Sequence, residues 1–176
     1  MAKNTSAVYG RVSIWLHWIS ALLILGLAAF GLVMTRIGAG ATQDQMYQIH
    51  TTIGVLVLVL TAARLVWRFV DPWPPAPKEL TGGRRQLFKW NHILLYGVLV
   101  VMLASGPAML LASGLSLPVQ NLSPDMIKDV LPRTTHGIVS KLFMLLFVTH
   151  LGGVIMHQRE AGNALGRMGL PWFDRK

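Results

Sequence analysis

"VSIWLHWISALLILGLAAFGLVM" occupies residues 12–34, and its 23 residues carry no charge apart from the imidazole of His17. About 20 consecutive apolar residues cross a bilayer as one helix. An ionisable side chain in such a helix is costly, and it tends to face a bundle interior where it serves a function. His17 therefore asks what a membrane helix does with an imidazole about two turns from its start. The run exceeds the core of a cleaved leader, so it is expected to stay in place as a span.

Three more apolar segments follow: "HTTIGVLVLVLTAARLVW" from residue 50, "HILLYGVLVVMLASGPAMLLASG" from residue 92 and "HGIVSKLFMLLFVTHLGGVIMH" from residue 136. Helices are predicted at about residues 12–35, 50–68, 91–114 and 134–157, with a bend at Pro107. The connection over residues 70–91 contains "DPWPPAP", which no helix interior tolerates, and then the basic "GGRRQLFK". That over residues 116–135 contains "SPDMIKDV", where Ser123 and Pro124 suit the cap and first position of a short surface helix. With no internal repeat, residues 1–176 read as one domain, an all-α integral membrane four-helix bundle.

Composition agrees. Hydrophobic residues make up 53% of the chain and charged residues 13%, with a mean hydropathy of +0.50; a soluble domain carries about twice that charge. The net charge of +9 is basic enough to suggest nucleic acid until it is placed on the topology. With the N-terminus inside, the cytoplasmic side holds Lys3, Arg11, Arg64, Arg68, Lys78, Arg84, Arg85, Lys89, Arg159, Arg167, Arg175 and Lys176. The other side holds only Arg36, Lys128, Arg133 and Lys141. The positive-inside rule then puts both termini in the cytoplasm and leaves no basic excess for nucleic acid. Cysteine is absent, which removes disulfides, thiolate clusters and covalent haem attachment together.

On this orientation His17 and His150 fall near the cytoplasmic level, and His50 and His136 near the opposite one. His136 and His150 are 14 residues apart in one predicted helix, so they share a face, about 40° apart in rotation and about 21 Å apart along the axis. Two interhelical pairs are expected, His17 with His150 and His50 with His136. Two facing neutral imidazoles suit a haem iron between helices; zinc wants four ligands, usually with carboxylate or thiolate help. Arg64 is 14 residues from His50 and shares its face at the other level, where it would meet a haem propionate. Gly54 and Gly137 remove side chains where a macrocycle must approach. His92 reads as an interfacial polar residue, and His157, seven residues past His150, could reach a propionate or a quinone. The quinone site is expected where His92 and His157 converge with Arg68 and Trp18.

The chain resembles the prokaryotic cytochrome b561 family. The resemblance is carried by "RVSIWLHW", by "HTTIGVLVLVLTAARLVWRFVDPWPP" and by "HGIVSKLFMLLFVTHLGG", and it runs from Tyr9 to about Arg159. It implies a multi-pass protein of the bacterial inner membrane holding two haems b, ligated by His17 with His150 and by His50 with His136. It also implies electron exchange with quinone. One branch of the family oxidises superoxide at the periplasmic face and reduces ubiquinone; other members link quinol to periplasmic redox proteins.

For a superoxide:ubiquinone oxidoreductase, Arg133 and Lys141 are the expected anion funnel, with Arg36 beside them. Asp44, Asp125 and Asp129 share that side and leave it a formal charge of only +1. The alternative is a non-enzymatic haem subunit with a periplasmic redox partner docked on the 116–135 connection. A proton or metal path through the histidines is a third reading, and it predicts a colourless protein. Oligomeric state is not legible in the sequence.

Overall fold

The structure, a computed structural model, describes residues 3–5, 7–115, 119 and 122–173. Arg175, Lys176 and the start of the 116–135 connection lie outside the described residues. Four long helices account for most of the chain: α1 (Arg11–Met34), α2 (Ala41–Val70), α3 (Gly82–Ala112) and α4 (Leu131–Ala161). A short α5 (Ala164–Arg167) and 3-10 turns at Pro124–Ile127 and Pro171–Phe173 complete the regular structure, and the described residues include no strand. All four long helices are long and apolar enough to cross a membrane. Their outward apolar residues confirm the solvent: Leu22 is 75% exposed and Leu145 62%, which water would penalise and lipid does not. The fold is the all-α membrane four-helix bundle.

The helices outrun their apolar segments. α2 begins nine residues before His50, through "ATQDQMYQI", with Asp44 in its first turn where the helix dipole favours an anion. α3 begins at Gly82 and takes in the basic "GGRRQLFK" that the sequence assigned to a connection; Arg84 there pairs with Glu160 at the end of α4. Backbone hydrogen bonding continues where hydropathy stops, so span length underestimates helix length. α3 remains one helix through Pro107. Ser123 caps the 3-10 turn through its carbonyl, which accepts from Met126 N–H at 3.1 Å, while its side chain makes no capping bond.

Contacts group the chain into two compact units, each drawing a segment from all four long helices. The first comprises Met1–Trp18, Ala62–Gly97 and Phe143–Lys176. Here Asn4 and Arg167 are tied to the α2–α3 connection. The Asn4 backbone N–H donates to the Asp71 carboxylate at 2.9 Å, and the Arg167 guanidinium donates to the carbonyls of Ala7 and Pro75 at 3.0 and 2.8 Å. Burial pushes the Tyr9 phenol above its ordinary value against the pull of Arg167, so it stays neutral.

The second unit comprises Ile19–Thr61 and Val98–Leu142. Its core joins Met34, Tyr47, Met109, Leu110, Val119, Leu122 and Ile127. Gln48 anchors the 116–135 connection to α2: its amide donates to the Val119 carbonyl, and its carbonyl accepts from Leu122 N–H.

Candidate functional site

The second unit brings two of the expected histidines together. His50, from α2, and His136, from α4, stand 6.3 Å apart between ring centroids at an interplanar angle of 79°. Two imidazole nitrogens on one metal, each about 2 Å from it, leave ring centroids roughly 6 Å apart. A second observation concerns the tautomer. His136 Nδ1–H donates to the Met102 carbonyl at 3.0 Å, with Ser105 Oγ 2.8 Å away, so the lone pair stays on Nε2. Ser105 in turn donates to Met102 O at 2.6 Å. His50 stacks on Phe30 at 6.5 Å and its buried Nδ1 has no hydrogen-bond partner.

Glycine shapes this unit. A Cβ added at Gly31 of α1 would come within 3.3 Å of His50 Cε1, so only glycine admits the imidazole there without displacement. At Gly54 and Gly137 an added Cβ would meet nothing within 4 Å, and Gly137 is exposed on α4. Gly31 and Ser105 escaped the sequence reading, as did the Met102 carbonyl, since Met102 reads there as a lipid or core contact. A polar residue two positions before Pro107 was the available signal for Ser105, and a backbone carbonyl leaves none.

The first unit holds His17, Arg64, His92 and His150, in a different pairing. His17 Nδ1 accepts from the Arg64 guanidinium at 2.7 Å, since arginine only donates. His17 and His150 lie close enough to interact electrostatically, but the ring packed on His150 is His92, 5.1 Å away at 82°. His92 Nδ1–H donates to the Phe88 carbonyl at 2.7 Å. Asn91 ties α3 to α4 beside this group through Thr149 Oγ1 at 2.6 Å and Leu146 O at 3.2 Å. Arg64 also lies over Tyr96, 5.3 Å from its centroid.

The four residues expected to converge on a quinone fall into two groups within this unit. Arg68 stacks on Trp73 at 3.8 Å, and Trp73 contacts His92 at 6.2 Å. His157 and Trp18 instead engage the C-terminal segment. His157 Nε2–H donates to Asn163 Oδ1 at 3.1 Å, and Trp18 Nε1–H donates to Met168 O at 2.9 Å. Of the expected funnel cations, Arg133 donates to the Tyr47 hydroxyl at 3.1 Å, whereas Lys141 lies exposed on α4 between Ile138 and Leu142, themselves exposed.

Among the described residues no three His, Asp or Glu side chains gather as a metal site. Paired imidazoles between apolar helices, one with its proton held on Nδ1, in a chain without thiols, are the donor set of a membrane haem protein. The chain belongs to the prokaryotic cytochrome b561 family, whose model matches residues 8–169. It is similar to cytochrome b561 homolog 2 of Escherichia coli (strain K12), with 31% identity over 121 residues, covering 66% of this chain and 62% of that relative's length. Membership accords with the four apolar helices and the paired histidines, and the chain spans less than two thirds of that relative's length.

Proposed function

We propose that the chain binds two haems b and passes electrons between the periplasmic face of the bacterial inner membrane and the quinone pool, acting as a superoxide:ubiquinone oxidoreductase. The observation that carries the haem assignment is the His50–His136 pair with its Nδ1–H anchored to Met102. His50 and His136 would hold one haem, and His17 and His150 would hold the other. Ligation by His17 Nε2 requires the proton on Nδ1, the atom that Arg64 now occupies. Arg64 would then hold a carboxylate of the bound group, which would keep its charge paired inside the membrane.

Bound haem iron supplies one-electron transfer. Two superoxide anions each give up one electron and leave as dioxygen; one ubiquinone takes two electrons and two protons and leaves as quinol. Arg133, one turn before His136 and held by Tyr47, attracts the anion, and Lys141 adds charge on the same helix. His92 with Arg68, and His157 with Trp18, are the polar groups offered to the quinone. Both termini lie in the cytoplasm, as the distribution of Lys and Arg requires.

Exposed apolar groups at the entry to α4, Met126 at 50% on the preceding connection and Leu131 at 78% at the start of the helix, favour a second reading. In it, a periplasmic redox protein docks there and this chain is its quinone-linked haem subunit. One experiment separates the two. The purified haem-loaded protein is given a superoxide source with and without ubiquinone, and quinol formation is followed. Sustained turnover that needs ubiquinone and no protein partner is expected. Stoichiometric haem reduction without turnover supports the second reading, and no haem reduction at all refutes the first.

A further inference from the structure

Arg85, Lys89 and Ile93 recur every four residues at the start of α3, which puts two cations and one apolar group on a single helix face. In the first unit that face borders a cavity of ≈ 410 Å³, whose lining also includes Arg68 from the end of α2, Trp73 from the connection and Phe88. Arg68 is already oriented, with its guanidinium 3.8 Å from the Trp73 ring centroid. The ion pairs among the described residues are Arg84–Glu160 and Lys128–Asp125, so none of the described carboxylates pairs with Arg68, Arg85 or Lys89. Three unneutralised cations around one cavity repel one another, and an anion relieves that repulsion.

The rest of the lining states which kind of anion. Trp73, Phe88 and Ile93 give the cavity an aromatic and aliphatic wall, and Ile93 and Leu94 continue it on the exposed surface of a membrane-spanning helix at 47% and 48% exposure. A free inorganic ion would use the cations and leave this wall in water. An amphipathic anion uses both: its phosphate oxygens accept from the guanidiniums and the ammonium, and its acyl chain lies along Ile93 and Leu94. A cavity of this size holds a headgroup and the first carbons of its chains. Basic pockets between membrane helices bind anionic lipids by this logic, and interfacial tryptophan sits at headgroup level.

We infer that the cavity between the end of α2 and the start of α3 is a binding site for the phosphate headgroup of an anionic phospholipid. It rests on the membrane fold; His92 also lines the cavity and Arg68 is the cation offered above to the quinone, so displacement of phosphatidylglycerol by ubiquinone would reassign the cavity to the quinone.

The test uses the full-length haem-loaded protein in bilayer nanodiscs of phosphatidylcholine with or without phosphatidylglycerol. Lipid retained after release into the gas phase is counted by native mass spectrometry, and haem is quantified on the same samples. Wild-type protein should retain phosphatidylglycerol in preference to phosphatidylcholine, and soluble glycerol phosphate at millimolar concentration should not displace it. Each Lys or Arg near an anionic surface is worth about fivefold in affinity, so Arg85→Gln combined with Lys89→Gln should weaken retention roughly 30-fold with haem content unchanged. Equal retention of the two lipids by wild-type protein overturns the proposal without any variant. Displacement by glycerol phosphate would reassign the cavity to a free phosphate. Loss of haem in the double variant would reassign its cations to the haem carboxylates, and undiminished retention would remove them from lipid binding.

Discussion

An imidazole has two nitrogens, and the bond made by one decides what the other can do. His136 has Nδ1–H committed to Met102, so its Nε2 is available to iron without rearrangement. His17 has Nδ1 filled by Arg64, so it needs a second acceptor to draw the guanidinium away. The two proposed sites therefore should respond differently to substitution. His50→Ala and His136→Ala should each abolish the same low-spin haem signal, and the double variant should lose little more, because two ligands of one iron act as a unit. His17→Ala and His150→Ala should form the second such pair, read by optical and paramagnetic resonance spectra. If His92→Ala, and not His17→Ala, reproduces the loss seen in His150→Ala, the ring contact between His92 and His150 is the true pairing. Gly31 supplies a steric test. Alanine there forces the His50 ring to give by a few tenths of an ångström and should be tolerated. Gly31→Val should displace the ring and reproduce the His50→Ala spectrum, leaving the other haem intact.

At the scale of elements, the helices divide their labour along their length. Apolar windows cross the lipid, and the polar extensions organise the ends: Gln48 at the start of α2 holds the connection before α4, and Arg84 at the start of α3 pairs with Glu160 of α4. The short α5 works through Arg167, which joins the N-terminal segment at Ala7 to the α2–α3 connection at Pro75. Both bonds are exposed, so Arg167→Ala should cost on the order of 1 kcal/mol. A lower thermal midpoint in detergent with earlier proteolysis near the N-terminus, and unchanged haem spectra, is the expected outcome. These anchors were partly legible. Arg84 and Arg167 register in the sequence as charge, but which carbonyl or carboxylate each one reaches depends on where separate connections come to rest.

For the whole molecule, the proposed pair of sites fixes a stoichiometry. Quantitative haem extraction should give two non-covalent haems b per chain, and one per chain would refute the arrangement. Thioether-linked haem is excluded, because the sequence has no cysteine. The proposed orientation has a direct test: a reporter active only in the periplasm should be silent when fused at the C-terminus and active when inserted after Arg36. The four spans needed no coordinates to be recognised, because membrane insertion depends on local hydropathy, which is a property of contiguous residues. The shared face of His136 and His150 was equally accessible, since helical period is local as well. The meeting of His50 with His136 followed from depth in the membrane, and the structure places those two rings together. Depth did not settle the partners of His17 and His150. At one level of a bundle several helices are neighbours, and their rotation about their own axes, set by packing, selects which side chains meet. That rotation put Arg64 on His17, His92 on His150, Ser105 beside His136 and a glycine against His50. Such contacts join residues far apart in the chain, where neither hydropathy nor spacing carries information about them.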